Sequence, residues 1–147
     1  GNAARRWIAP CQGAVLSVKL KYLQAANEAR RAHARHYGQL LSEVPGVILP
    51  KEAKDRKHVY HIYATRVKNR DQVIEALRVK GVHCGIHYPV PVHLQNAYGF
   101  LGYGKGAFPV AERCADDFLS LPMFPELTPE QIETVAKELK ACLAVTS

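Results

Sequence analysis

At 147 residues, 48% of them hydrophobic and 22% charged, the chain has the size and balance of one globular domain and is neither disordered nor fibrous in composition. A net charge of +7 and a pI near 9.4 favour a polyanionic partner, nucleic acid or a phosphorylated small molecule, without choosing between them. No apolar run approaches the roughly 18 residues that a membrane-crossing helix needs, and no signal segment opens the chain, so a cytoplasmic domain is expected. Cys11, Cys84, Cys114 and Cys142 form no Cys-x-x-Cys pair, which argues against a zinc knuckle or a redox motif and for reduced thiols. The first residue is Gly1 rather than Met, which reads as a tag remnant or an internal start.

Between 11 and 42 there is no proline, and Val15, Val18, Tyr22, Ala25 or Ala26, Ala29, Ala32 or His33, and His36 or Tyr37 recur at helical spacing. The spacing predicts one long helix with a basic side made by Lys19, Lys21, Arg30, Arg31 and Arg35. One small core cannot cover so long an apolar stripe, so such a helix projects, joins domains or dimerises. The remaining 43–147 complete a single domain. "VPGVILP" at 44–50 predicts a short strand between prolines, and "KEAKDRK" a loop. "KHVYHIYATRV" at 57–67 alternates, with Val59, His61, Tyr63, Thr65 and Val67 on one face, and predicts the central strand. "NRDQVIEALRVKG" predicts a three-turn helix capped by Asn69, with Gln72 three residues on and Gly81 as its stop; 82–87 predicts the next strand. The glycine-rich stretch 89–109 reads as a loop too long to be a mere connection. "FPVAERCADDFLSLP" and "TPEQIETVAKELKACL" predict two closing helices, the second with Thr128 as N-cap, Pro129 at N1 and Gln131 at N3. The order α, β, β, α, β, α, α defines an α+β fold: a long N-terminal helix and a small, three-stranded, mainly antiparallel sheet with helices packed on one side.

Several chemistries can be weighed from residue spacing. His83, Cys84, His87 and His93 lie close in sequence, but on a strand His83 and His87 face one way and Cys84 the other, so a metal site is not expected. Cys84 and Cys114 lack a neighbour that would lower a thiol pKa, so neither reads as a nucleophile. "GFLGYGKG" has no Gly-Lys-Ser/Thr and is not a P-loop. The basic helix face has no interleaved aromatics and no helix-turn-helix, so nucleic acid is not the expected partner. His61 and His87 fall on alternating strands, where a buried, hydrogen-bonded histidine is the plainer reading. Tyr88 and His93, on a proline-stiffened loop, are donors suited to phosphate or sugar hydroxyls.

"GIHYPVPVHLQ", followed by "FPVAE" and "LSLPMFPELT", resembles the C-terminal stretch of the DegT/StrS family of pyridoxal-phosphate-dependent nucleotide-sugar aminotransferases. "QGAVLSVKLKYLQAANEARRAHARHYGQLL" resembles the long helix that leads into that family's small domain, so the likeness covers about 11–143. It implies the small domain of a fold-type-I aminotransferase, with His87, Tyr88, His93 and His61 turned toward the sugar nucleotide. In the family the cofactor forms a Schiff base with a lysine of the large N-terminal domain, which also holds its phosphate. This chain alone is therefore expected to bind no cofactor and to supply no catalytic residue. The family's upstream Gly-x-Asn-x-Arg-x-Asp pattern would fall near 3–9, where "AARRWIA" stands, with Arg6 and Ala9 as poor matches. The implied function is a truncated or stand-alone C-terminal domain with weak nucleotide-sugar affinity. The alternatives are a repurposed homodimeric assembly module joined through the first helix, and an excised part of an intact aminotransferase.

Overall fold

A computed structural model describes the backbone of residues 2–146 and the side chains of 11–144. The elements run α1 (Asn2–Leu41), β1 (Val47–Ile48), β2 (Tyr63–Val67), α2 (Arg70–Val79), α3 (Pro109–Asp117), β3 (Phe118–Leu121) and α4 (Pro129–Thr146), with short 3-10 turns at Val92–Leu94 and Asn96–Leu101. The sheet has the order β1-β2-β3 and is antiparallel throughout, pairing Tyr63 with Leu121, Ala64 with Ser120 and Thr65 with Leu119. This is the α+β architecture expected from the residue pattern.

Alternation along β2 turns Tyr63, Thr65 and Val67 into the core, where they meet Leu119 and Leu121 of β3. Against that face pack Tyr37 and Leu41 of α1, Val73 and Leu77 of α2, and Ile132, Val135, Ala136 and Leu139 of α4. Tyr37 and Tyr63 stack with ring centroids 5.1 Å apart, and the Tyr37 hydroxyl donates to Pro122 O at 3.1 Å. Burial drives both phenols upward, Tyr63 to about 12, so both stay neutral near neutral pH. Thr65 is fully buried, and its hydroxyl donates to Leu119 O.

The helix ends follow from local chemistry. Thr128 and Gln131 form a reciprocal capping box at the start of α4: Thr128 N–H donates to Gln131 Oε1 at 3.0 Å, and Gln131 N–H to Thr128 Oγ1 at 3.3 Å. Asn69 caps α2 differently from the pattern expected. It sits in the left-handed region at φ 52° and makes no side-chain cap bond, while its carbonyl accepts from Gln72 and Val73. Arg70, the first residue of α2, is buried and donates Nη1 to Ala115 O and Phe118 O, carbonyls at the C-terminal end of α3.

Four expectations need correction. The strand expected at 57–67 is reduced to Tyr63–Val67, because Tyr60 takes a positive φ of 47° that breaks the extended run. The third strand is Phe118–Leu121, carved from the end of the helix expected over "FPVAERCADDFLSLP". Asp116 and Asp117 oppose the helix dipole at that end, and pairing with β2 puts Leu119 and Leu121 on the core face and Phe118 and Ser120 on the other. The segment 82–87 makes only one bridge, Gly85 to Ser120. The helix α1 also begins upstream of Cys11. The side chains of 3–9, including Arg6 and Ala9, lie outside the described residues.

The stripe on α1 divides in two. Ala34, Tyr37 and Leu41 are buried, whereas 11–25 is exposed throughout, with Val15 58%, Val18 55% and Tyr22 68% exposed; Ala26 is half-buried. No helix among the described residues is long and apolar enough to cross a membrane.

Candidate functional site

The face of the sheet opposite the core carries the loop. Ala64 and Arg66 of β2 share that face with Phe118 and Ser120 of β3. Gly85 and Ser120 exchange both backbone hydrogen bonds, Gly85 N–H to Ser120 O at 3.0 Å and Ser120 N–H to Gly85 O at 2.9 Å. The chain is thereby fixed two residues before His87, whose Nδ1 lies 2.9 Å from Ser120 Oγ. Tyr88 follows at φ 54° and is 78% exposed. A bulky residue held there stores on the order of 1–3 kcal/mol of backbone strain, which persists only where the surroundings enforce it. Pro89 and Pro91 then stiffen the path to the Val92–Leu94 turn.

His93 turns inward. It is 9% exposed, its Nε2 is 3.0 Å from Glu112 Oε1, and its ring meets Phe108 edge-on at 4.8 Å. The same carboxylate accepts the backbone N–H of Gly106 at 2.8 Å and that of Phe108 at 3.3 Å. The Gly106 N–H, aided by Phe108 and His93, holds the Glu112 carboxyl below the usual glutamate range. One carboxylate from α3 thus gathers both ends of the 89–109 stretch.

His61 is exposed and lies outside β2, just before it. It lines a cavity of about 270 Å³ together with His83, Gly85, His87, Ser120 and Met123. Tyr88 opens on the other side, into a cavity of about 470 Å³ with His87, Val90, Gln95, Cys114 and Phe118. Of the residues expected at a ligand, His61 and His87 therefore meet in one cavity, Tyr88 borders the next, and His93 supports the loop from behind. His83 and Ser120 join the first cavity although neither reads as ligand-facing in the sequence. The signal for His83 is its place on the same face as Gly85 and His87; for Ser120 there is none, since its partner lies 33 residues away.

Other chemistries find less support. Burial, with the nearby Cys142 adding to it, pushes the Cys84 thiol up to about 11, so it is a poor nucleophile near neutrality. Among the described residues no group of three or more His, Cys, Asp or Glu is placed to share a metal ion. Every lysine among the described residues is exposed, and none lines the histidine cavity. A lysine linked to pyridoxal phosphate needs a site that suppresses its charge, so these residues do not fit the cofactor's covalent attachment.

Fold and site together define an α+β small domain whose non-core sheet face presents imidazole and phenol groups from a stiffened, carboxylate-tied loop. The chain belongs to the DegT/DnrJ/EryC1/StrS aminotransferase family, whose model matches residues 6–140. It is 44% identical over 130 residues to a pleiotropic regulatory protein of Geobacillus stearothermophilus, covering 87% of this chain and 35% of that protein. It is 40% identical over 116 residues to a dTDP-3-amino-3,4,6-trideoxy-alpha-D-glucose transaminase of Streptomyces venezuelae, covering 79% and 31%. Its structure is similar to that of S. venezuelae DesV in complex with a ketimine intermediate, at a TM-score of 0.85 and 37% identity over 88% of this chain and 35% of that one. The chain spans about a third of the length of these relatives.

Proposed function

We propose that this chain is the substrate-side small domain of a nucleotide-sugar aminotransferase, presenting His87, Tyr88 and His61 to sugar or phosphate oxygens without carrying out transamination by itself. The observation that carries the reading is the placement of His87: its Nδ1 is tied to Ser120, and its ring borders the cavity it shares with His61 and His83. An imidazole N–H donates to phosphate and hydroxyl oxygens, and prolines 89 and 91 reduce the ordering the loop undergoes on binding. The sugar-transaminase relative supports the ligand class. The covalent chemistry belongs, in this reading, to the two thirds of the relatives' length that these residues do not match. A cytoplasmic setting is part of the same proposal.

Because one domain supplies only part of the contacts, binding should be weak, with a Kd of about 1 mM, or about 4 kcal/mol. Saturation-transfer NMR of a dTDP or UDP sugar over the chain tests this. Millimolar binding that falls about tenfold in His87→Ala is expected; no transfer to the unsubstituted chain would rule the reading out.

A second reading is favoured by the exposed stripe of Val15, Val18 and Tyr22 on α1. We propose that a second copy of the chain covers it, making a symmetric dimer. The basic side of α1 gives weaker support to a nucleic-acid partner, since Arg31 is engaged by Glu52 at 2.7 Å and by His58 O.

A further inference from the structure

Ser120 is 5% exposed, and its main chain is fixed on both sides by Gly85. Its hydroxyl has a proton to place, and a buried hydroxyl left without an acceptor is costly. The partner recorded for Ser120 Oγ among the described residues is His87 Nδ1, at 2.9 Å. Two arrangements are open. If Nδ1 carries the imidazole proton, it donates to Oγ and the hydroxyl hydrogen is left without an acceptor. If Nδ1 is bare, the hydroxyl donates to it and the imidazole proton resides on Nε2. Only the second satisfies both groups.

Gly85 lies against the same edge of the ring, beside Ser120. A Cβ at position 85 would stand 3.1 Å from His87 Cε1 and 3.5 Å from Nδ1, so the imidazole would have to give by a few tenths of an ångström. The Nδ1 edge is therefore met by a hydroxyl and given room by the lack of a side chain at 85. Neither residue needs to touch a ligand for this.

We propose that Ser120 is a positioning residue that holds neutral His87 in its Nε2–H tautomer, so that His87 offers an N–H donor to a phosphate or sugar oxygen of a nucleotide sugar. The ligand part rests on the function proposed above; the tautomer does not. The arrangement directs the donor away from Ser120, and a carbonyl, hydroxyl or phosphate oxygen is the group that accepts from it.

Long-range proton–nitrogen correlation spectra of the full chain, recorded above the ordinary imidazole range, read the tautomer directly. His87 is expected to show a bare Nδ1 and a protonated Nε2. Ser120→Ala should mix the two tautomers, Ser120→Thr should restore the single one, and Ser120→Ala should weaken dTDP-sugar binding about tenfold. A protonated Nδ1 in the unsubstituted chain overturns the proposal, and this spectrum decides even where Ser120→Ala does not fold. A folded Ser120→Ala chain with an unchanged tautomer, or with unchanged sugar affinity, overturns it too. A correct tautomer together with no binding of any nucleotide sugar overturns the ligand reading and leaves the positioning role intact.

Discussion

Glu112 and His93, 19 residues apart, meet at 3.0 Å, and the same carboxylate accepts from the backbone of Gly106 and Phe108. This contact ties α3 to both ends of the glycine-rich stretch. Its electrostatics set a pH dependence. The folded carboxyl titrates below its unfolded value, so the stability it contributes is complete above the ordinary glutamate range and is lost as pH falls through the lower, folded value. Glu112→Gln, which removes the charge but keeps the shape, should lower the urea midpoint near neutrality and flatten its decline in acid. An unchanged acid profile would show that other carboxylates dominate.

Arg70 offers a test of the fold rather than of the site. Its buried guanidinium serves Ala115 O and Phe118 O, and Arg70→Ala leaves both carbonyls without that donor. A loss of about 3 kcal/mol is expected in urea unfolding. A loss below about 1 kcal/mol would mean that water replaces the guanidinium at the end of α3.

Tyr88 should separate stability from binding. Glycine tolerates φ 54° without strain, and the tyrosine side chain is largely in solvent, so Tyr88→Gly should stabilise the fold by about 1 kcal/mol. The same substitution should weaken nucleotide-sugar binding. Destabilisation instead would show that the phenol packs against the domain.

The exposed half of α1 makes a prediction about assembly. Val15, Val18 and Tyr22 should lie at a symmetric interface, with the half-buried Ala26 at its margin. Sedimentation at high micromolar concentration should show a dimer, and Val18→Glu should give a monomer of unchanged helicity. A monomeric unsubstituted chain in moderate salt would remove the dimer proposal.

The exposure of every described lysine predicts that pyridoxal phosphate added to the chain gives no stoichiometric visible band that responds to an amino donor. Such a band would contradict the assignment of the covalent chemistry to other parts of the family's chains.

Much of the fold is legible because its signals are local. The Thr128–Gln131 capping box and the spacing of Ile132, Val135, Ala136 and Leu139 lie within one helix, and both are realised. Tyr63, Thr65 and Val67 alternate as read, but Tyr60 ends the strand early through a backbone choice that residue type does not announce. Phe118–Leu121 is concealed because Leu119 and Leu121 suit a helix or a strand until β2 pairs with them. The site is less legible still. The partners of His87 and His93, Ser120 and Glu112, stand 33 and 19 residues away, and only folding reveals which imidazole is tethered outward and which is drawn in.

The most direct test of the substrate-side role is a chemical-shift titration of the labelled chain with a dTDP or UDP sugar, beside one with short duplex DNA. Saturable millimolar shifts at His87, Tyr88, His61 and Ser120 are expected with the sugar nucleotide. Shifts confined to Lys19, Lys21, Arg30 and Arg35, stronger with the duplex and steeply weakened by salt, would contradict it and assign the chain to nucleic acid.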